Sequence, residues 1–343
     1  MYDLIVIGAG PVGLAAGIEA GRKGMSVLLL EKGTLIQTIV AWPKETTFFS
    51  EARNIEIGGH PFPSLTPKPT RREALAYYRR VAEVEGLDIR TYCRATAIGG
   101  QIGRFKVAYQ DRSGTGLLES RLVLLASGYH ANPNRLGVPG EGLPHVHYGI
   151  DETIAYWNQR VAIIGGSNSA IETALDLYRG GAKVMVVHRD PEVRPSVKYW
   201  LKPDFENRVK EGAIKLMLNA VVREIKEREV VVERGEPSAT SHQSAANGQQ
   251  LTAIPADFVV VLIGYRAVDQ LLRDAGVKFD ANDDQPLLSG AYETSVAGLF
   301  VAGSAGYGSD TRTVFIENGR DHARVAVGEM EQRLKGVEAR VEG

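Results

Sequence analysis

The chain has a single cysteine, Cys93, in 343 residues, so it can form neither an intramolecular disulfide nor a CxxC redox pair. Cys93 lies in a strand-like run over 89–95 and reads as a small buried apolar side chain, not as a nucleophile. An excess of either charge is also missing. Lys+Arg 40 against Asp+Glu 41 gives a net charge of -1, which removes the electrostatic case for a nucleic-acid partner. No apolar run approaches the ~20 residues of a membrane span, so no membrane association is expected. The first residues enter a strand with no basic stretch and no small-residue cleavage site, and a cytoplasmic location is the expectation. The seven histidines are scattered, with His145 and His147 the only close pair and no carboxylate or thiol at ligand spacing, so no metal site is expected.

What the chain does have is a globular balance, with 44% hydrophobic and 24% charged residues, and a length that suggests two domains. Its beginning is the most specific stretch. An apolar run over 2–7 ends in Gly8-Ala9-Gly10-Pro11-Val12-Gly13, a helix is expected over 14–23, and a second apolar strand over 25–30 ends in Glu31. This is the dinucleotide fingerprint with its strand, turn, helix and acid in register. Gly8 permits the tight turn, Gly10 lets backbone approach a diphosphate, and Gly13 lets the helix lie close on the strand. The helix N-terminus offers unpaired N–H groups to that diphosphate, and Glu31 is placed to accept from ribose hydroxyls. An acid there repels a 2′-phosphate, so this site should take FAD or NAD and not NADP.

The same order recurs from Arg160. A strand over 161–164 runs into Gly165-Gly166-Ser167-Asn168-Ser169-Ala170, a helix is expected over 171–179, and the next strand ends in His188-Arg189-Asp190 with Arg194 beyond. Arginine pairs with phosphate in a bidentate way and stays charged, so this second site suits the 2′-phosphate of NADP(H).

Between and after the two units the sequence is less directive. Residues 33–69 form a long aromatic-rich excursion in which Gln37, Thr38 and Thr47 are available for polar contacts. Thr70-Arg71-Arg72-Glu73 is a capping box opening a helix through Val84, with Gly86 as its stop. Strands are expected over 87–125 with a turn at 113–116, and a small-residue break, Ser127-Gly128, follows the last of them. A helix is expected over 200–211, a strand pair over 220–233, a mobile tip over 235–250, a strand over 258–263 and a final helix from Thr313 to about Lys335. The turn-rich link after Gly128 and the glycine at 264 divide the chain into a discontinuous domain over 1–128 and 264–343 and an inserted domain over 129–263. The fold class is α/β, with two Rossmann-like dinucleotide-binding domains.

Thr47-Phe48-Phe49-Ser50, Glu56-Ile57-Gly58-Gly59, Lys68-Pro69-Thr70-Arg71, Gly165 to Glu172 and Ile316-Glu317-Asn318-Gly319-Arg320 resemble the bacillithiol-disulfide reductase family, within the thioredoxin-reductase-like flavoproteins. The resemblance implies an FAD domain with an inserted NADPH domain, and a homodimer. It puts FAD on Gly8, Gly10, Pro11, Val12, Gly13, Glu31, Lys32, Gln37, Ser127 and Gly128, and near Gly303 and Ile316. It puts NADPH on Gly166, Ser167, Asn168, Ser169, His188, Arg189 and Arg194. Two positions depart from the family pattern: Val12 stands where relatives carry a cysteine, and Ser304 where the broader class has an aspartate. Val12 cannot form a mixed disulfide, whereas hydride transfer to a flavin depends on orientation and needs no protein nucleophile. The expectation is an FAD-dependent NADPH oxidoreductase with no catalytic side chain assigned. Its acceptor is open among a small disulfide of the bacillithiol type, a quinone and a redox protein such as ferredoxin, and a non-catalytic FAD- and NADPH-binding sensor is the rival reading.

Overall fold

The computed structural model describes residues 1–130, 132–235, 250–267, 270–308 and 313–341. Strand β1 (Tyr2–Ile7) leads through the first glycine turn into α1 (Pro11–Arg22), and β2 (Val27–Leu30) follows. Helix α1 begins at Pro11 rather than at the expected Leu14, because proline at the first helical position has no N–H to lose and a φ already helical. The excursion that follows holds one turn of helix, α2 (Gln37–Val40), and a 3-10 turn at Ala52–Ile55. The capping box forms as expected at the start of α3 (Arg71–Val84). Thr70 Oγ1 accepts from the Glu73 N–H at 3.2 Å, and the Glu73 carboxylate takes the Thr70 N–H at 2.7 Å.

The expected strand over 89–95 is split into β3 (Ile89–Arg90) and β4 (Arg94–Gln101), since Tyr92 adopts a left-handed φ of 54°. Cys93 therefore lies between the two strands, after the turn, and is 1% exposed as its apolar character requires. Strands β5 (Arg104–Asp111) and β6 (Gly114–Leu125) meet in a tighter turn than expected, closed by the Asp111 carboxylate accepting from the Ser113 and Gly114 N–H groups.

Next come β7 (Val146–His147), β8 (Arg160–Ile164), α4 (Asn168–Arg179) and β9 (Lys183–Val187). Helix α4 takes in Asn168, Ser169 and Ala170, which the sequence reads as turn. After α5 (Lys202–Lys210) and β10 (Lys215–Met217) come the antiparallel strands β11 (Ala220–Lys226), β12 (Glu229–Arg234) and β13 (Gln250–Pro255), then β14 (Phe258–Val261). Most of the expected mobile tip, residues 236–249, lies outside the described residues. The chain closes with α6 (Gln270–Asp274), β15 (Leu299–Val301) and α7 (Ile316–Val341). Helix α7 starts at Ile316 and not at Thr313, because Asn318 holds the preceding residues outside it: Oδ1 accepts the Phe315 N–H and Nδ2 donates to the Thr313 carbonyl. No described helix is long and apolar enough to cross a membrane.

The chain divides into two compact units, Met1–Asn132 with Tyr265–Gly343, and Pro133–Gly264. In the first, β1 lies between β2 and β6, all parallel, with β3 beyond β2 and β15 beyond β6. Strand β6 belongs to two layers. Its second half is buried continuously between β1 and β15, whereas its first half alternates and pairs antiparallel with β5. Side chains alternate across the parallel sheet: Leu4, Val6, Leu29, Leu122 and Leu124 pack with α1, α3 and α7, and Ile5, Ile7, Leu28, Val123 and Leu125 pack with the meander and α6.

The second unit repeats that plan. A parallel sheet in the order β10-β9-β8-β14-β7 has α4 and α5 on one face, against Val161, Ile163, Val184, Val186 and Val260. The antiparallel strands β11, β12 and β13 cover the other face, where Ala162, Ile164, Val259 and Val261 meet Val222, Val230 and Val232.

Candidate functional site

Each unit places a glycine turn at the carboxyl end of its central strand. In the first, Gly8 takes a φ of 111°, and a Cβ there would lie 2.5 Å from the Ala126 carbonyl oxygen, so the turn runs tightly past the exit of β6. Gly13 is held as closely, against the Gly8 carbonyl. Gly10 differs: a Cβ on it would meet nothing within 4 Å, so its missing side chain serves no packing of the protein and leaves backbone open to a ligand. Among the described residues no side chain caps α1, and its first turn carries no acid. Helix α3, by contrast, closes its own N-terminus with a full capping box. An uncapped N-terminus behind an open glycine fits a diphosphate.

Glu31 is 7% exposed at the end of β2, with Oε2 accepting the Ala9 N–H at 2.9 Å and Oε1 the Gly33 N–H at 2.9 Å. The carboxylate thus ties the turn to the segment that follows β2 and still has lone pairs for ribose hydroxyls. Lys32 is exposed beside it. Gln37 folds over Gly33 and takes the Thr34 N–H at 3.0 Å. The Ile36 N–H donates to the Ala9 carbonyl, so these residues stay against the turn. Thr47 is exposed and bridges to Thr70 through backbone.

The Val12 side chain lies against two glycines, one of them the expected FAD residue Gly303. A Cβ on Gly303 would fall 3.1 Å from Val12 Cγ2, and one on Gly319 2.8 Å from the same atom. Pro11 and Gly303 are buried, while Ser127, Gly128 and Ile316 are half-buried, with Ser304 Oγ near Gly128. Gly319 did not figure among the expected site residues. Its signal was a glycine inside a helical run, which costs about 1 kcal/mol unless a close approach requires it.

Past Gly128 the His130 ring lies 4.5 Å from Tyr129 and 4.9 Å from Tyr265, with Trp42 edge-on at 6.1 Å. Burial among these rings pushes its imidazole down to about 4, so it is neutral near pH 7. Two further bonds join the 33–69 excursion to α7, from Arg320 to the Glu56 carbonyl and from Ser50 to the Glu317 carboxylate.

The second turn follows the same logic. Helix α4 lacks a side-chain cap among the described residues and has no acid in its first turn, with Ser167 and Ser169 at its mouth. His188 stands at the end of β9, 5% exposed, with its ring against Gly166: a Cβ on Gly166 would fall 2.5 Å from it. Burial pushes this imidazole below its usual range and Asp190 opposes the shift, while Arg194 and Arg189 add to it. Arg189 and Arg194 are exposed, and Arg189 Nε lies 3.7 Å from Asp190. The Asn168 side-chain amide is engaged within the protein: Oδ1 accepts the Lys198 N–H at 2.8 Å and Nδ2 donates to the Ser196 carbonyl at 3.2 Å.

Comparison with known proteins agrees with this geometry. A family model described as pyridine nucleotide-disulphide oxidoreductase matches residues 5–303. The bacilliredoxin reductase Bdr of Bacillus subtilis (strain 168) is 35% identical over 337 residues, covering 96% of this chain and 97% of that one. Among solved structures, the bacillithiol disulfide reductase Bdr (YpdA) from Bacillus cereus superposes with a TM-score of 0.90 at 33% identity, covering 97% of this chain and 99% of that one. The fold extends to the thioredoxin reductase of Lactococcus lactis, with a TM-score of 0.76 at 21% identity and coverage of 98% and 100%. With uncapped helices behind both glycine turns and this relationship along nearly its whole length, the chain belongs to the pyridine nucleotide-disulphide oxidoreductase family, as a flavoprotein oxidoreductase that uses FAD and NADPH.

Proposed function

We propose that this chain reduces a small disulfide of the bacillithiol type with electrons from NADPH, without a protein thiol in the relay. The observation that carries the reading is the pairing of two uncapped helices behind glycine turns, one ended by an acid, Glu31, and the other by His188 and Arg189. The unit containing residues 1–132 is assigned FAD and the unit 133–264 NADPH. FAD bound there supplies the two-electron relay between NADPH and the acceptor.

The chain's own residues bind and orient. The α1 N–H groups and the open backbone at Gly10 take the diphosphate, and Glu31 accepts from the ribose while bracing Ala9. Lys32, Gln37, Thr47, Ser127, Gly128, Gly303 and Ile316 complete that pocket. Gly166, Ser167 and Ser169 present the second helix N-terminus, and Arg189 and Arg194, with His188, read the 2′-phosphate. Val12 offers no nucleophile, so this chain supplies no thiol at the first glycine turn and the bound FAD would have to serve the acceptor directly; the same residue favours the second reading, a quinone or a ferredoxin-like protein as acceptor.

Anaerobic NADPH should bleach the flavin faster than NADH does, and the reduced protein should turn over bacillithiol disulfide. Reoxidation by a quinone or ferredoxin alone would select the second reading, and no bleaching by either nucleotide would reject both. A cytoplasmic homodimer belongs to the proposal on the family resemblance; light scattering at the mass of one chain would remove the dimer from it.

A further inference from the structure

We propose that Lys198 is a diphosphate-binding residue of the NADPH site, delivered there by a strap that the Asn168 side chain pins across the second glycine turn. The inference rests on the assignment of NADPH to that turn. Residues 189–201 leave β9 and return over the glycine turn instead of running directly into α5. Three bonds hold them to it: the Arg194 N–H to the Gly166 carbonyl at 2.9 Å, the Lys198 N–H to Asn168 Oδ1 at 2.8 Å, and Asn168 Nδ2 to the Ser196 carbonyl at 3.2 Å. Val193 and Val197 are buried in the core of the unit at 8% and 6% exposure, which fixes the strap from below.

Arg194, Pro195 and Ser196 are exposed between these anchors, and the Lys198 backbone follows within one hydrogen bond of the side chain of Asn168, the first residue of α4. A lysine whose backbone is tied to the first residue of a 12-residue helix adds a positive charge close to that helix's N-terminus. Its ammonium also lies 5.8 Å from the centre of the Trp200 ring, which meets Tyr199 edge-on at 4.9 Å, so an aromatic wall limits where that charge can go.

A second observation points to a ligand at this turn. The His188 ring is 5% exposed and laid on Gly166, and its buried Nε2 has only the half-exposed Asp190 carboxylate, 3.2 Å away, beside it among the described residues. A buried ring nitrogen beside a glycine turn, held by a single surface carboxylate, gains a second partner when an oxygen-rich group docks there. Asn168 acts on that group only through the strap and is a positioning residue. The division of labour follows from placement: Arg189, next to His188 at the strand end, reads the 2′-phosphate, while Lys198, at the helix mouth, holds the diphosphate common to NADP and NAD.

The test is calorimetric titration of the FAD-loaded protein with NADP⁺ and with NAD⁺. Lys198→Ala should weaken both by about tenfold, the size of one charge-assisted contact, while Arg189→Ala weakens NADP⁺ alone and Lys198→Arg restores most of the loss. Asn168→Ala should reproduce the Lys198→Ala pattern with the flavin spectrum unchanged. Unaltered NADP⁺ affinity in Lys198→Ala overturns the proposal. So does a loss confined to NADP⁺, which would make Lys198 a reader of the 2′-phosphate. Wild-type protein that bound neither nucleotide would instead remove the NADPH assignment on which the inference stands.

Discussion

Glu31 and Val12 carry the most consequence of any single side chains. Glu31→Ala would leave the buried Ala9 N–H without its acceptor and free Gly33, each worth about 1–3 kcal/mol when unsatisfied. FAD affinity should fall by between about 10 and 100-fold, read as the 450 nm absorbance retained per chain after dialysis; full retention would mean that the turn holds its shape without the acid. Val12→Cys removes bulk from a contact with Gly303 and Gly319, so it should keep FAD bound. If the acceptor is reduced at the flavin, turnover with the disulfide stays within about twofold of wild type, and a large rise would show that a thiol at this position matters. Which residues matter was partly legible beforehand. Gly8, Gly10, Gly13 and Glu31 announce themselves because a short local pattern fixes their geometry. The Asn168 bonds to Ser196 and Lys198 were not legible, since they join residues 28 and 30 positions apart whose approach depends on where Val193 and Val197 bury.

The elements show where local propensity yields to context. Strand β6 could be read as buried only over its second half, and the structure gives the reason: that half lies between two parallel strands, and the other half has one face in solvent. The starts of α1 and α4 fell earlier than expected because glycine turns that present N–H groups must already be helical at their third or fourth residue. The split at Tyr92 was hidden because Ile89 to Ala95 has strand composition and only the backbone φ breaks it. Helix α4 also carries a pH-dependent cost. Burial, and then the charge of Asp176, push the Glu172 carboxyl up to about 7, so the folded chain holds a proton that the unfolded chain gives up near pH 4.5. A carboxyl raised in the fold lowers stability as pH climbs through that window, with the full cost present above pH 7. Melting temperature should therefore decline from pH 5 to pH 8 more steeply in wild type than in Glu172→Gln; parallel curves would show that Glu172 titrates normally.

At the scale of the molecule, both units are built alike, with helices on one face of a parallel sheet and three antiparallel strands on the other. Strands apolar on both faces demand that both faces be covered, which is why runs such as Leu4 to Ile7 go with a layer on each side of the sheet. Leu124, fully buried where β6 meets the helical layer, tests that core: Leu124→Ala should cost about 2–5 kcal/mol in denaturant unfolding monitored by flavin fluorescence. A loss under 1 kcal/mol would mean that the layer collapses around the gap.

The contrast between α3, which closes its own end, and α1 and α4, which do not, reaches beyond catalysis. If the two nucleotides bind at these helix ends as proposed, flavin and nicotinamide nucleotide are structural parts as well as reagents. Cells starved of riboflavin should accumulate a chain that melts earlier and is clipped by proteases near the first turn of α1, with added FAD raising the melting point in proportion to the logarithm of its concentration. Vitamin supply would then set how much of this protein a cell can keep, before it sets how fast the protein works.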